Sequence, residues 1–479
     1  IAAILEFDAE IDDAVLIEEK QKRIKSGSSI MYDTTAFNFT MMFGLPAVTV
    51  PQNLSKNLTK WKPSQEVIDV KKDSVIWAVD GKDDRSVAFA ARLLEQDIQV
   101  RIVDKESSLS GQTLSRGSVA VLPMDNPKAS DLYVTVKSVA SDLNLSVASL
   151  DSGFGPEELP DWGGRHFRLL KKPQIAILSH SGFSSYDVGV TWWSLDHHLG
   201  IRHSQLNSSF TAYGDLRRYN TIILPSGSPD MNDYAKKMLI DWVKQGGTLI
   251  SNNSSTRSII SSDGIGSVKN LNTTFDETES YNIDLMREIY SLDEIVDITD
   301  ANINKINLDI TYPWESSDIS YDTKQLEMRD KWQSLLMPSG SIVAARTDSD
   351  HWLTFGSEDI VPVLYGNNPI LMTDGNSEAV LRIGELIPNE DIQTNRTINW
   401  SQIPAGYDMN VRMSGLVWPE ASQRIANSAY LTREKIGKGQ IIMFAGEPNF
   451  RAAARGTNRL FLNAVIYGPG LGTDMLVTP

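Results

Sequence analysis

The stretch Gln245–Ser255, QGGTLISNNSS, decides the fold. A Gly-Gly turn precedes a short apolar strand, Thr248–Ile250, which ends abruptly in a run of Ser and Asn. In many α/β hydrolytic enzymes a sharp corner of this kind lifts a nucleophile to the top of the sheet. The stretch therefore predicts an α/β sheet. It also raises the question whether the corner carries a catalytic nucleophile or is only a structural turn.

The sequence before this corner alternates between buried-type strands and helices. QIAILSH (174–180) and YNTIILPSG (219–227) are apolar strands, and residues 186–199 and 234–245 have helical spacing. Strand, helix, strand, helix and strand within about 80 residues is the pattern of a doubly wound, flavodoxin-like sheet with right-handed crossovers.

A similar alternation occurs nearer the start of the chain. The predicted strands are SVIWAVD (74–80), IQVRIVD (98–104) and GSVAVLP (117–123), and the predicted helices cover 84–96 and 129–143. This pattern indicates another parallel α/β layer.

We therefore predict an α/β protein with two doubly wound (Rossmann- or flavodoxin-like) units. The predicted division is 1–72 as a helix and connector, 73–165 as a small α/β domain, and 166–479 as a flavodoxin-like domain with an insertion at about 256–340.

Composition excludes several classes of function. The 45 basic and 61 acidic residues give a net charge of −16, which would repel phosphate backbones, so no nucleic acid partner is expected. The chain has no cysteine, which excludes disulfides, thiolate metal sites and a Cys nucleophile. No apolar run is long enough to predict a transmembrane segment.

A nucleophilic site at the corner would need a hydroxyl and a base, usually His, oriented by a carboxylate. The corner offers Ser251, Ser254 and Ser255, and His180 ends a strand of the same predicted sheet. Because parallel strands end at one edge of a sheet, His180 could lie near these serines. The same residue types are typical of a turn whose Asn and Ser side chains cap backbone groups, and this interpretation is favoured.

The densest group of possible metal ligands is DHHLGIRH, Asp196–His203. The adjacent His197 and His198 would point about 100° apart on a helix, so they cannot easily share a metal ion. The His-x-x-Glu motif of zinc enzymes is absent from the chain. A solvated helix end, where the dipole favours cations, is the preferred interpretation.

A pair of tryptophans and a set of three arginines are further candidates for binding residues. Trp192 and Trp193 could stack on sugar or peptide, but a helix buried in the core is favoured. Arg451, Arg455 and Arg459 recur at a spacing of four and could clamp a carboxylate, although pairing with the acidic surface is the simpler prediction.

Three longer stretches are distinctive in combination: MYDTTAFNFTMMFGLPA (31–47), DHWLTFGSEDIVPVLY (350–365) and GKGQIIMFAGEPNFRAAARGTNRLFLNAVIYG (437–468). Together they resemble the C-terminal half of large bacterial secreted proteins of the zinc carboxypeptidase (funnelin) family. In those proteins a metallocarboxypeptidase domain precedes a region that contains a class I glutamine amidotransferase-like domain. The resemblance covers nearly the whole chain, and its motifs carry no catalytic signature.

This resemblance implies that the zinc ligands and the general-base glutamate lie upstream of Ile1, so that this chain has no cofactor and no active site of its own. Glu6, Glu10 and Glu18 were weighed as that base and set aside, because they precede a connector that looks downstream of the peptidase core. The implied location is extracellular or periplasmic. The implied partner is the N-terminal peptidase domain of the same gene product.

The amidotransferase-like comparison also bears on the corner. GGTLISNN resembles the strand leading to the catalytic cysteine, which places Asn253, or else Asn252, at the cysteine position. A carboxamide cannot act as that nucleophile, so the comparison implies a retained fold without amidotransferase activity. The predicted binding crevice at the strand ends consists of His180, Ser181, Gly227, Asn252 and Asn253.

Three functions follow as hypotheses. The leading one is a non-catalytic accessory region that docks on the peptidase domain, gates its cleft or binds its substrate. The second is an independent glycan- or peptide-binding module that uses the predicted crevice. The third, a serine hydrolase at Ser254 or Ser255, is the least supported.

Overall fold

The computed structural model describes residues 11–48, 70–156, 159–207, 214–229, 231–260, 265–292 and 322–474. Two of the glutamates weighed above, Glu6 and Glu10, lie outside these residues, as do most of the predicted linker and part of the predicted insertion. The described residues form a mixed α/β protein, whose elements are numbered below in chain order.

The helices are α1 Asp13–Ser26, α2 Phe39–Met42, α3 Arg85–Glu95, α4 Leu132–Asp142, α5 Ser185–Trp193, α6 Asp233–Lys244, α7 Asn253–Ile259, α8 Thr278–Leu292, α9 Thr323–Ser334, α10 Pro419–Ile425 and α11 Arg455–Leu471. None of these helices combines the length and the apolar character needed to cross a bilayer.

The strands of the first half are β1 Ile76–Val79, β2 Arg101–Val103, β3 Ser107–Leu109, β4 Gln112–Leu114, β5 Val119–Val121, β6 Ala148–Leu150, β7 Phe167–Leu169, β8 Ile175–Ser179, β9 His203–Asn207, β10 Thr221–Leu224, β11 Thr248–Asn252 and β12 Lys269–Asn270. Those of the second half are β13 Ser341–Thr347, β14 Ile360–Tyr365, β15 Leu371–Met372, β16 Glu378–Ile383, β17 Glu385–Pro388, β18 Arg396–Ile398, β19 Ser401–Ile403, β20 Tyr407–Asn410, β21 Arg412–Ser414, β22 Ala429–Ile436 and β23 Gly439–Phe444.

The first sheet is antiparallel, which corrects the prediction of a doubly wound unit there. Its order is β6-β1-β5-β2-β7, and every neighbouring pair runs antiparallel. With α3 after β1 and α4 after β5, the arrangement is the βαββαβ pattern of ferredoxin-like folds. The tight β3–β4 hairpin, and not a crossover helix, separates β2 from β5, so the chain returns antiparallel.

The parallel direction of these strands was predicted wrongly because both faces of the sheet are covered. One face packs on α3 and α4, and the other on a smaller cluster that includes Leu109, Leu114 and Trp162. Burial on both faces gives continuous apolar strands whatever their direction. The strand β7 also lies beyond the predicted boundary at residue 165 and pairs with β2, so the first sheet extends to Leu169.

The second sheet is parallel in one half and antiparallel in the other. Its parallel half has the order β9-β8-β10-β11-β23, which is the 2-1-3-4-5 order of flavodoxin-like sheets. Beyond β23 it continues with the antiparallel strands β22, β16, β13 and β14. Strands β22 and β23 form an antiparallel hairpin.

Helix α11 joins the two sheets. It is buried from Thr457 to Leu471, and it contacts α3 and β7 of the first unit as well as β10 and β11 of the second. A helix packed between two units in this way is apolar on most of its surface.

Arg459, at the start of α11, makes the main polar link between the units. Only 3% of this residue is exposed. Its guanidinium donates to the carbonyl oxygens of Gly81 and Asp83, each at 2.9 Å, and to Ser86 Oγ at 3.2 Å. Arg459 also pairs with the exposed Asp84 at 3.5 Å, as predicted, but α11 buries its side chain in the interface and does not leave it on the surface.

Replacing Arg459→Met should destabilise the protein by roughly 2–4 kcal/mol, because buried carbonyl oxygens would lose their donors. Denaturant unfolding followed by tryptophan fluorescence measures this loss. The matched control is Arg217→Gln, whose side chain is 81% exposed. The control should change the free energy of unfolding by less than about 0.5 kcal/mol, and equal losses in both variants would contradict the assigned role of Arg459.

Candidate functional site

Four parallel strands end at one edge of the second sheet, which is where doubly wound proteins bind ligands. The segments that follow β8, β10, β11 and β23 begin at His180, Pro225, Asn253 and Ala445. All of the residues of the predicted crevice lie at this edge.

The gap between the β8 and β10 segments, where the strand order reverses, is closed by backbone contacts. Ser184 N donates to Ser226 O at 2.9 Å, and Ser228 N donates to Gly182 O at 2.7 Å. A Cβ atom at Gly227 would lie 2.4 Å from the Gly182 carbonyl oxygen, so only glycine permits this approach. These contacts divide the predicted crevice into two separate parts.

One part lies toward β9 and surrounds a cavity of about 430 Å³. His180, in a left-handed conformation with φ 71°, lines it together with Phe183, Trp192 and Gln205. Ser179 Oγ lies 2.9 Å from His180 Nδ1. Because Trp192 is 41% exposed, its assignment to the core is wrong, and its ring is available to a ligand. Ser181 is exposed beside this cavity.

The other part is centred on Asn253, which occupies the sharp corner between β11 and α7. Its φ is 44°, a left-handed conformation that Asn adopts more readily than most residues. The strand, left-handed residue and helix reproduce the geometry of a nucleophile elbow. The Asn253 side chain is not free as a nucleophile would be, since its Nδ2 donates to Glu447 Oε1 at 2.9 Å.

Four side chains, Asp187, Ser226, Asn253 and Glu447, form what we call the carboxyl cluster. Asp187 comes from the first turn of α5, Ser226 follows β10, and Glu447 follows β23. Glu447 accepts a hydrogen bond from Asn253, and Asp187 and Ser226 lie near enough to influence its carboxyl group. A second carboxyl group nearby disfavours the ionised form of Glu447 through Coulomb repulsion.

The electrostatics of the cluster favour a protonated Glu447. Burial raises the pKa of Glu447 to about 7, and the neighbouring Asp187 carboxyl acts in the same direction. The hydrogen bonds from Asn253 and Ser226 oppose this shift by stabilising the ionised form. At neutral pH the cluster therefore offers hydrogen-bond donors as well as acceptors.

Asn252 precedes the corner and carries an unsatisfied polar atom. It is 2% exposed, and its Oδ1 is buried without a hydrogen-bond partner in the described part of the chain. Orphaned buried acceptors are rare and require an explanation. Asn252 thus lies beside the cluster with an acceptor that is still free.

Two of the three serines at the corner, Ser251 and Ser255, are engaged in structural hydrogen bonds. Ser251 Oγ lies 2.9 Å from Thr256 Oγ1, and Ser255 Oγ donates to Pro225 O at 2.5 Å. Within the described residues no histidine is hydrogen-bonded to Ser251, Ser254 or Ser255. The base that a serine hydrolase needs is therefore not in place at this corner.

Of the histidines in Asp196–His203, His197 is exposed, as expected for a solvated helix end, whereas His198 packs against the start of α11. His198 Nδ1 lies 3.0 Å from Arg455 Nη1 and 3.2 Å from Asn458 Nδ2. Burial lowers the pKa of His198 to about 4, with the Arg455 charge acting in the same direction, so the ring is neutral and not a solvated cation. Across the described ranges, no group of three or more His, Asp or Glu side chains is placed to hold a metal ion.

The remaining arginines of the predicted group have separate partners. Arg455 lies over the Trp193 ring, 5.0 Å from its centroid. Arg451 forms an ion pair with Asp33 at 2.8 Å, which fastens the N-terminal connector beside the loop that carries Glu447. The predicted carboxylate clamp is not assembled, although pairing with an acidic residue holds for Arg451.

The sequence analysis missed Asp187 and Glu447. A signal for Glu447 was present, because an acidic residue lies two positions after the apolar stretch IIMFA. Placing it next to Asn253 requires the parallel pairing of β11 with β23, which joins residues 194 positions apart.

Comparisons with known proteins give no family. No family model matches the chain. No curated protein matches it either. Among solved structures, a ThuA-like protein from Bacteroides uniformis is 12% identical, with a TM-score of 0.28, over 61% of this chain and 89% of that one. A ThuA-like protein from Parabacteroides merdae is 10% identical, with a TM-score of 0.29, over 64% and 94%.

An exo-β-1,4-mannosidase from an Opitutaceae bacterium is 8% identical, with a TM-score of 0.27, over 61% of this chain and 34% of the enzyme. TM-scores this low do not define a shared fold. The fold class of the protein rests on the strand order of its own two sheets.

The protonation of Glu447 predicts a pH-dependent stability. Because its pKa in the folded protein is raised from 4.5 to about 7, the folded state binds the proton more tightly than the unfolded state. The stabilisation is complete below pH 4.5 and is lost as pH rises through 7. The expected loss is roughly 1–3 kcal/mol, and Glu447→Gln should remove it from unfolding curves measured across this range.

A second variant tests the cause of the shift. Asn253→Ala removes a donor that stabilises the ionised form, so the midpoint of the pH dependence should move upward. A midpoint that is unchanged in Asn253→Ala, or a pH dependence that persists in Glu447→Gln, would show that the carboxyl cluster does not titrate in this way.

Proposed function

We propose that this chain is a non-catalytic binding module, and that its carboxyl cluster binds a neutral, hydroxyl-rich ligand such as a glycan. The observation that carries the proposal is the bond from Asn253 Nδ2 to Glu447 Oε1 at 2.9 Å. The residue at the elbow position is therefore an asparagine, whose carboxamide is held in place by this bond and cannot attack a substrate.

The chemistry of the cluster favours a neutral ligand. The two carboxyl groups of Asp187 and Glu447 disfavour an anion, while the protonated carboxyl of Glu447, the Asn253 amide and the Ser226 hydroxyl can each pair with a sugar hydroxyl.

Helix α5, which carries Asp187 of the cluster, also exposes aromatic side chains on its other flank. Trp192 and Tyr186 are 41% and 85% exposed. Exposed aromatic rings near polar side chains stack on the apolar faces of sugar rings, which suits a glycan better than a charged peptide.

We also propose that the module is an accessory region of an exported zinc carboxypeptidase-like protein, where it docks on the peptidase domain or binds its substrate. The support is the sequence resemblance over residues 31–47, 350–365 and 437–468. No part of the binding proposal involves zinc, whose ligands are expected in the peptidase domain. The sequence encoded upstream of Ile1 tests this proposal, and the lack there of a His-x-x-Glu motif and of a later ligand histidine would contradict it.

Glycan and peptide arrays on the intact chain, followed by calorimetry on the best ligand, test the binding proposal. Asn253→Ala and Glu447→Gln should each weaken a glycan ligand by about tenfold, the loss of one or two buried hydrogen bonds. The matched control is Asn232→Ala, which removes the cap of α6 at Ala235 N and has no hydrogen bond to the cluster among those of the described residues. It should lower stability by about 1 kcal/mol and leave the dissociation constant unchanged.

Two results would contradict the proposal. The first is a ligand whose affinity is the same in Asn253→Ala, Glu447→Gln and the unmodified chain. The second is selective capture of peptides with no glycan bound. Cleavage of a bound glycan would contradict the non-catalytic part alone.

A further inference from the structure

One side of helix α5 faces the cavity of about 430 Å³ that lies toward β9. The residues of α5 that line this cavity are Ser185, Val188, Gly189 and Trp192, whose spacing of three or four places them in one row along the helix. Asp187 is about 100° or more from each of them around the helix axis, so it belongs to another side of α5. The cavity is therefore a site apart from the carboxyl cluster.

Gly189, in the middle of this row, is required neither by close packing nor by an unusual backbone. A Cβ atom at this position would meet no heavy atom within 4 Å. The residue lies inside α5 and is not in the left-handed conformation. Glycine destabilises a helix interior relative to alanine, so the fold alone would favour a side chain here. The space that this side chain would occupy belongs to the cavity, and the glycine keeps it open.

Both ends of the cavity lie within reach of one ligand ring placed over Gly189. Along the axis of α5, Ser185 is about 6 Å from Gly189 and Trp192 is about 4.5 Å from it. The turn that leads from β8 to α5 is closed by Phe183 N, which donates to His180 O at 3.0 Å. This turn keeps His180 at the Ser185 end of the cavity. A ring over Gly189 can thus contact the tryptophan on one side and the histidine on the other.

The polar groups of the cavity suit a ligand without charge. None of the described residues that line it is Asp, Glu, Lys or Arg. His180 Nδ1 is engaged by Ser179 Oγ at 2.9 Å, which leaves Nε2 without a hydrogen-bond partner in the described part of the chain. Within the same ranges the side chains of Ser185 and Gln205 make no hydrogen bond, and Gln205 is exposed on β9.

We infer that this cavity is a separate subsite for one neutral sugar ring, held over Gly189 between Trp192 and His180. The apolar side of the ring stacks on the tryptophan, and its hydroxyls pair with His180 Nε2 and the Gln205 amide. A plain aromatic ring would leave these polar groups desolvated and unpaired, which disfavours it. The inference rests on the proposed glycan function for the class of ligand, and on the cavity alone for the residues that bind it.

The test is calorimetry of the intact chain with a panel of neutral methyl hexosides, repeated in Glu447→Gln to remove binding at the carboxyl cluster. At least one hexoside should bind in both with a dissociation constant on the order of 1 mM. Gly189→Leu places a side chain in the cavity and should weaken this binding about tenfold or more. His180→Asn keeps a residue that tolerates the left-handed conformation, and it should weaken binding about fivefold.

Gly163→Leu is the matched control. Gly163 lies in the segment between β6 and β7 of the first unit, and a Cβ atom there would also meet no heavy atom within 4 Å. This variant should bind hexosides as the unmodified chain does. Trp192→Ala provides a second cavity variant if Gly189→Leu fails to fold, because Trp192 is 41% exposed, and it should weaken binding about tenfold.

The outcomes separate this inference from the proposed function. Binding that survives in Glu447→Gln and is lost in Gly189→Leu supports the cavity, even if the carboxyl cluster binds no glycan. Binding that is lost in Glu447→Gln but kept in Gly189→Leu and Trp192→Ala would overturn the inference and leave the proposed function in place. Tighter binding of benzyl alcohol or of a sugar acid than of every hexoside would also overturn it. So would the failure of every hexoside to bind, whereas the proposed function is tested by the longer glycans of the arrays.

Discussion

The parallel pairing of β11 with β23 is the constraint on which the candidate site depends. Asn252 aligns with Phe444 in this pair, so the two strands end together although nearly 200 residues separate them. The end of β11 presents Asn253, and the end of β23 leads to Glu447 three residues later. Helix α11 follows directly and fixes this edge against the first unit through Arg459. The β11–β23 pairing and the hydrogen bonds of Arg459 therefore determine both the architecture and the position of the site.

The corner at Asn253 has the backbone geometry of a catalytic elbow, but its side chain is suited to binding a ligand and not to attacking one. Its left-handed residue, strand and short helix are the parts that expose a nucleophile in hydrolytic enzymes, but the residue is an asparagine bonded to a carboxyl group. The Gly182 and Gly227 loops close the gap where the strand order reverses, which leaves the aromatic cavity and the carboxyl cluster on opposite flanks of α5. A ligand long enough to reach both flanks would use the polar and the aromatic surface together.

The sequence predicts the second unit better than the first. Apolar runs identify buried strands, and the alternation around Gln245–Ser255 is correct because each crossover contains a helix. The same runs at 74–123 do not reveal direction, since the sheet is buried on both faces. Asn253 and His180 could be placed at the sheet edge from strand ends alone. Glu447 and Asp187 could not, because their role depends on neighbours that only the tertiary pairing supplies.

The central claim is that the edge of the second sheet binds its ligand without reacting with it. Saturation-transfer NMR of the intact chain with neutral oligosaccharides, repeated over a day at pH 7, tests this most directly. The account predicts transfer to ring protons of a bound sugar, competition by unlabelled ligand, and an oligosaccharide spectrum that does not change with time. Absence of transfer from every neutral sugar, or the growth of new reducing-end signals, would contradict it.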